Sequence, residues 1–371
     1  MKSLLNLVFS LIICSCGTNT SNNVISDQEK MQLLGKKIFF DMTLSSNQNQ
    51  SCASCHDPLS GFADPDVAMS KPVSMGSQNN VFGNRNAPTS AYAFLTPGFT
   101  KTTTDTTTDG TTSNYIGGQF IDGRRENLVL QAKDPFLNSL EMNNFDESVV
   151  VNKVSAGNYA EEFIALFGEG AFDNVELAYN NIALAIEAFE SSSEMNPFSS
   201  KFDKVMVGNT VFSESEQRGF DLFKGTKAKC ANCHSIASNG PVLFTNHRYY
   251  NIGTPSNLNN PAVVADSSFV DKGLSENSAV INAGDAENEL GKFRVPTLRN
   301  IAETAPYMHN GVYQTLEEVI DHYDGKMQFV TAEVDSINIA NEVVFDDYNV
   351  LGLSVVDKED LVNFMSTLSD E

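Results

Sequence analysis

The chain has 371 residues, with 47 acidic against 24 basic side chains for a formal net charge of −23, six cysteines, five histidines and no tryptophan. That length exceeds one ordinary core and suffices for two, each able to enclose a cofactor. Acidity of this size excludes a nucleic-acid surface and electrostatic adhesion to anionic lipid, and suits either solubility or the steering of a basic partner.

At the N-terminus Lys2 precedes an apolar run from residue 4 to residue 13, broken by Asn6 and Ser10, and then Ile13-Cys14-Ser15-Cys16-Gly17. This is the pattern of a secretory leader, too short to stay in a bilayer as a spanning helix. A small residue before Cys16 and a glycine after it resemble a bacterial lipobox. Residues 1–16 are therefore expected to be a lipoprotein signal peptide, with Cys16 the lipidated first residue of an exported, periplasmic chain. Bulky Ile13 argues against Cys14 in that role, and an ordinary leader cleaved nearby is the alternative. Residues 17–26 are small and polar and read as a tether.

Asp27 is expected to cap a helix over residues 31–40, with Leu34 and Ile38 on its apolar face. A polar loop follows, and then Cys52-Ala53-Ser54-Cys55-His56. A Cys-x-x-Cys-His run is how a chain attaches c-type haem: the thiols bond the porphyrin vinyls and the histidine ligates iron. A zinc or redox pair is the plainer reading, but zinc needs further thiol or imidazole ligands and this chain is poor in histidine. Residues 57–97 are rich in Gly, Pro and Asn, and the threonine tract at 101–112 reads as an exposed insertion. Helical patterning returns at residues 126–132, 145–154 and, most clearly, 175–189, where Leu177, Ile182, Ala185, Ile186 and Phe189 recur at helical spacing as core.

Residues 191–200, with Pro197, read as a linker. Beyond it Ser213-Glu214-Ser215-Glu216 is a capping box that opens a helix ending near Gly225, and Cys230-Ala231-Asn232-Cys233-His234 repeats the haem signature. Four cysteines thus go to haems and two to the leader, so no disulfide is expected. Residues 316–323 and 358–368 read as closing helices. Both halves run helix, loop, haem signature, loop-rich region and closing helices, and the fold class is mainly α.

With these signatures stand Gly61-Phe62-Ala63-Asp64, Arg85-Asn86-Ala87-Pro88-Thr89, Asp122-Gly123-Arg124, Leu128 to Gln131, Glu141-Met142, Phe293 to Asn300, and Thr304-Ala305-Pro306-Tyr307-Met308-His309-Asn310-Gly311. In this order the set resembles the bacterial di-haem cytochrome c peroxidases, including the MauG-type branch, over nearly all of the mature chain. The resemblance implies two cytochrome c-like haem domains with long loops, residues 27–195 reacting with peroxide and residues 196–371 supplying electrons. It also implies two covalently bound haem c groups, iron ligation by His56 and His234, proton shuttling by Glu141 and positioning of peroxide by Gln131. A carboxyl beside a buried haem should hold its proton more tightly through desolvation, which suits a shuttle. One calcium ion is implied between the domains, held by the Asn86 side chain and by carbonyls at Thr304 and Pro306, and oxygen donors of mixed origin suit calcium. His309 matches a family histidine near the inter-haem region, while His247 matches nothing.

Three departures refine this. Many members carry a histidine sixteen residues after the first proximal one that closes the site until reduction; here that place is Pro72, so the first haem is expected to rest open. Met69 and Met75, the nearby soft ligands, read as surface or packing residues. Fourteen residues after His309, where many members place an iron-ligating methionine, stands Tyr323, as in MauG-type proteins; His322 and Met327 are the alternatives, and Tyr323 can equally be a core aromatic. The tryptophan that usually precedes Asp-Gly-Arg is Ile121, which leaves Phe120 or Tyr115 as substitutes.

The function expected is reduction of hydrogen peroxide to water with electrons from a small redox protein, a cytochrome c or a cupredoxin. A MauG-type oxidase acting on a protein side chain and a non-enzymatic electron-transfer cytochrome are the rivals. Membrane contact is expected through the lipid anchor alone, and a homodimer is left open.

Overall fold

The computed structural model describes residues 25–102, 114–325, 333–334 and 351–371. The expected leader with Cys16, the tether up to residue 24, the threonine tract from residue 103 and Met327 lie outside the described residues. In chain order the helices are α1 (Asp27–Phe39), α2 (Cys52–Cys55), α3 (Leu128–Leu137), α4 (Glu147–Ser155), α5 (Ala160–Phe167), α6 (Val175–Glu190), α7 (Lys201–Met206), α8 (Glu214–Lys224), α9 (Pro261–Ala265), α10 (Ser278–Asn282), α11 (Leu316–Tyr323) and α12 (Val355–Ser366). Strand is confined to two antiparallel pairs, β1 (Thr100–Lys101) with β2 (Tyr115–Ile116) and β3 (Tyr249–Tyr250) with β4 (Phe293–Arg294). The fold is thus mainly α, and among the described residues no helix is long and apolar enough to cross a membrane.

Local chemistry sets several boundaries. Ser26, not Asp27, caps α1: its hydroxyl takes the Glu29 N–H and the Glu29 carboxylate takes the Ser26 N–H at 2.7 Å. Satisfying two orphan donors at once outweighs a lone aspartate. The same reciprocal box opens α8 at Ser213 and Glu216. Helix α3 continues past the expected end and through Pro135, because Phe136 is buried in the core beyond it.

The two halves repeat one packing device. In α1, a Cβ on Gly35 would lie 1.7 Å from the Ala185 carbonyl oxygen of α6. In α8, a Cβ on Gly219 would lie 1.9 Å from the Asp360 carbonyl oxygen of α12. In each half, therefore, the helix that leads into Cys-x-x-Cys-His touches a closing helix backbone to backbone, which only glycine permits.

Apolar side chains gather in two main cores. One joins Leu34, Phe39, Phe136, Val150, Phe163, Ile182, Phe189 and Met195, and the other joins Phe202, Phe223, Phe244, Tyr313, Phe364 and Leu368. A smaller cluster of Tyr115, Tyr249, Leu274 and Val280 joins segments distant in sequence. Polar contacts tie early to late segments: Arg85 donates to both Asp122 and Asp271, the Asn86 N–H donates to the His309 carbonyl at 2.8 Å, and the Tyr92 hydroxyl donates to Asp370 at 2.7 Å.

Candidate functional site

Both candidate iron-ligating histidines are held in the same way. His56 follows α2, and its Nδ1 lies 3.1 Å from the Phe62 carbonyl oxygen; His234 follows a single turn at Cys230–Asn232, and its Nδ1 lies 2.9 Å from the Phe244 carbonyl oxygen. A carbonyl only accepts, so the proton sits on Nδ1 and Nε2 keeps the lone pair that a metal uses. Phe62 and Phe244 both adopt left-handed backbone, with φ of 60° and 54°. That conformation is uncommon for a bulky residue and turns the carbonyl back toward the imidazole. Each turn is braced one residue earlier: Thr89 Oγ1 donates to the Gly61 carbonyl at 2.6 Å, and Thr297 Oγ1 donates to the Leu243 carbonyl at 2.7 Å. Burial pushes both imidazoles down, His234 to about 4, so both are neutral at ordinary pH.

At the first signature, Glu141 sits on the turn after α3, with its N–H on the Asn138 carbonyl and its Oε1 accepting from Asn138 Nδ2 at 2.9 Å. Burial raises its carboxyl above the usual range, against the charge of Arg124 and the Asn138 bond. Its charge in turn bears on both Cys52 and Cys55, whose thiols burial pushes up, that of Cys55 to about 12. The structure therefore sets Glu141 within electrostatic reach of the first Cys pair. Gln131 lies one and a half turns before the end of α3, half-buried, and makes no side-chain hydrogen bond among the described residues. Nothing links it to Glu141 directly. Met69 and Met75 are exposed.

At the second signature, Cys230, Cys233 and His234 line one mainly apolar cavity together with Tyr323, Ile121, Arg294, His309, Asn86, Thr304 and Pro306. The candidates for the distal position separate here. His322 has both ring nitrogens engaged, Nδ1 at 3.0 Å from the Tyr313 hydroxyl and Nε2 at 2.8 Å from the Ile252 carbonyl. Tyr323, its neighbour on α11, lines the cavity, and its buried hydroxyl lies in the field of Cys233 and Cys230.

The remaining sequence candidates also find places. Asn86 donates Nδ2 to the Pro72 carbonyl at 3.2 Å, which leaves its amide oxygen for another ligand. Asn86, Thr304 and Pro306 line the same cavity, a set of neutral oxygens compatible with calcium when water completes the shell. The His309 ring stacks on Phe293 at 3.9 Å between centroids, and its Nε2 lies 2.8 Å from Glu333. The suggested aromatic substitutes for tryptophan lie elsewhere. Tyr115 stacks on Phe99 and donates to Asp285, while Phe120 is covered by the Arg124 guanidinium at 3.4 Å.

Three groups escaped the sequence. Asp122 is a hub that accepts from Arg85 and Arg124, which fixes the Asp-Gly-Arg segment. Glu190, at the end of α6, is buried with Oε2 unpartnered among the described residues, and its charge bears on Cys52. Arg294 is half-buried, with its Nε buried and likewise unpartnered. An unpaired half-buried guanidinium, two Nδ1-anchored histidines and paired thiols in an apolar surround all fit haem c, whose ring is apolar and whose edge carries carboxylates.

Comparison with known proteins agrees. A family model described as di-haem cytochrome c peroxidase matches residues 28–211. The methylamine utilization protein MauG of Paracoccus denitrificans is 36% identical over 321 residues, 85% of this chain and 79% of that one. The cytochrome c551 peroxidase of Nitrosomonas europaea is 30% identical over 337 residues, 86% of this chain and 82% of that one. Among solved structures, a tyrosine-to-methionine variant of the diheme peroxidase BthA from Burkholderia thailandensis superposes with a TM-score of 0.84 at 28% identity, covering 92% of this chain and 86% of that one. With paired Cys-x-x-Cys-His cradles on a mainly helical fold, this chain belongs to the di-haem cytochrome c peroxidase family.

Proposed function

We propose that the protein reduces hydrogen peroxide to water, taking two electrons from a small redox protein such as a cytochrome c or a cupredoxin. Residues 27–195 form the peroxidatic half in this reading, and residues 196–371 the half that supplies electrons. The observation that carries it is Glu141, a half-buried carboxyl hydrogen-bonded to Asn138, with raised proton affinity and a charge that reaches the first Cys pair.

When bound, haem supplies an iron that takes peroxide and exchanges electrons. His56 holds that iron through Nε2, its orientation fixed by the Phe62 carbonyl. Burial disfavours the ionised form of Glu141, so it binds a proton more tightly than an exposed carboxyl does. Its Asn138 bond points the carboxyl, which would carry a proton from one oxygen of the peroxide to the other. Gln131 orients the peroxide. Pro72 stands where a closing histidine would, so no imidazole from that place would compete with peroxide. His234 and Tyr323 would hold the second haem, and Asn86, Thr304 and Pro306, which line the same cavity, would hold calcium.

The test is Glu141→Gln, which keeps shape and removes the proton carrier. Peroxide turnover with a reduced small cytochrome should fall by ~10²–10⁴-fold, the usual weight of a positioned acid–base group, with two haems still attached. Full activity would remove Glu141 from the mechanism.

A second reading, a MauG-type oxidase that draws electrons from a protein side chain, is favoured by Tyr323 in the second cavity, since phenolate ligation supports higher oxidation states. Ile121, where an aromatic relay would stand, opposes it. Consumption of two reduced donors per peroxide supports the first reading. Peroxide-driven oxidation of a protein side chain without donor turnover supports the second.

A further inference from the structure

The second haem cavity contains a cation that no protein group among the described residues neutralises. Arg294 lines it from β4, and among the described residues its guanidinium forms neither an ion pair nor a hydrogen bond. Arg85, Arg124, Arg125, Arg218 and Arg299 each pair with a carboxylate. The carboxylate whose charge reaches Arg294 is Asp122, and it is already occupied: Oδ2 accepts from Arg85 and Arg124, and Oδ1 accepts the Arg124 N–H at 3.2 Å.

Arg294 is also fixed in place. Its N–H donates to the Ile121 carbonyl at 2.8 Å, the next N–H donates to the Arg248 carbonyl at 2.8 Å, and Tyr249 is its register partner across β3. A guanidinium set in an apolar wall and left unpaired is unfavourable, so a chain that keeps one there has an anion to meet. Its planar fork suits a carboxylate, and the group that the cavity takes brings carboxylates of its own.

We propose that Arg294 binds a propionate of the haem attached at Cys230 and Cys233, and that this pairing favours the reduced state of that haem. An unpaired propionate stabilises the oxidised iron; neutralising it removes that stabilisation, so the haem gives up electrons less readily than it would without Arg294. The pairing rests only on haem attachment at the second signature; its consequence for electron supply rests on the peroxidase reading above.

The experiment is spectroelectrochemical titration of the holoprotein and of Arg294→Gln and Arg294→Lys. In Arg294→Gln, the oxidised-to-reduced ratio of the haem on His234 at fixed potential should rise at least tenfold, equivalent to a fall of ~59 mV for one electron. Arg294→Lys should keep most of the native value, and the haem on His56 should shift less than its partner. Superimposable native and glutamine titrations, an equal shift at both haems, or a lysine variant as altered as the glutamine one would each overturn the proposal. If the glutamine variant does not fold, the propionate bending band in the resonance Raman spectrum of Arg294→Lys decides: a shifted band supports the contact and an unchanged band overturns it. None of these readouts uses turnover, so failure of the peroxidase reading leaves them intact.

Discussion

The Phe244 carbonyl oxygen lies 2.9 Å from Nδ1 of His234, and the Phe244 ring meets Phe202 edge-on at 4.9 Å between centroids. One residue thus fixes the imidazole through its backbone and the core through its side chain. Phe244→Ala should cost ~3–5 kcal/mol in urea unfolding of the holoprotein, the range for truncating a buried phenylalanine. It should also broaden the spectrum of the haem on His234, because the strained carbonyl loses the anchor that holds it. A stable variant with an unaltered haem spectrum would show that the ring is not what holds the turn.

The choice between adjacent residues on α11 gives a sharper test. His322 is committed to Tyr313 and Ile252, whereas Tyr323 lines the cavity. Tyr323→Met should exchange phenolate for thioether ligation, raise the reduction potential of that haem and change its absorption bands. His322→Asn should leave those bands in place while lowering thermal stability. Loss of the low-spin signal in His322→Asn, with Tyr323→Met spectroscopically silent, would reverse the assignment.

Much of this architecture was legible locally. The two haem signatures, the box at Ser213 and Glu216, and a helix over residues 316–323 are contiguous patterns, and the last coincides with α11. What escaped depends on packing. His322 and Tyr323 point about 100° apart around a helix, and no string of letters says which faces a cavity. The left-handed turns at Phe62 and Phe244 carry residues that ordinarily avoid them, so composition gives no signal. Glu190 looks like a surface charge until the fold removes its water, and Arg294 until its Nε is left without a partner.

Glu190 makes a prediction about pH. Burial, with Glu187 adding its charge, pushes this carboxyl up to about 8 from the 4.5 expected in an open chain. Between those values the folded protein keeps a proton that the unfolded chain has released, so stability is full below about pH 4.5 and is lost as pH rises through about 8. The loss is bounded at roughly 5 kcal/mol. In Glu190→Gln that term is absent, so urea unfolding at pH 5 and pH 8 should differ less than in the native protein. Parallel pH profiles would contradict a buried neutral acid at this position.

Calcium is the subject of another prediction. The proposed ligands are uncharged oxygens at Asn86, Thr304 and Pro306, and Asn86 offers its amide oxygen because Nδ2 is held by Pro72. Removing calcium with a chelator should reduce turnover, readdition should restore it, and Asn86→Ala should need more calcium for the same recovery. Turnover indifferent to chelation in both proteins would place no calcium there.

The most direct measurement is electron paramagnetic resonance of the resting, fully oxidised holoprotein, repeated after one equivalent of peroxide. An open site on His56 and an occupied one on His234 predict one high-spin and one low-spin ferric signal, with peroxide abolishing the high-spin signal first. Two six-coordinate low-spin signals that peroxide leaves unchanged would contradict the account and make the protein an electron carrier.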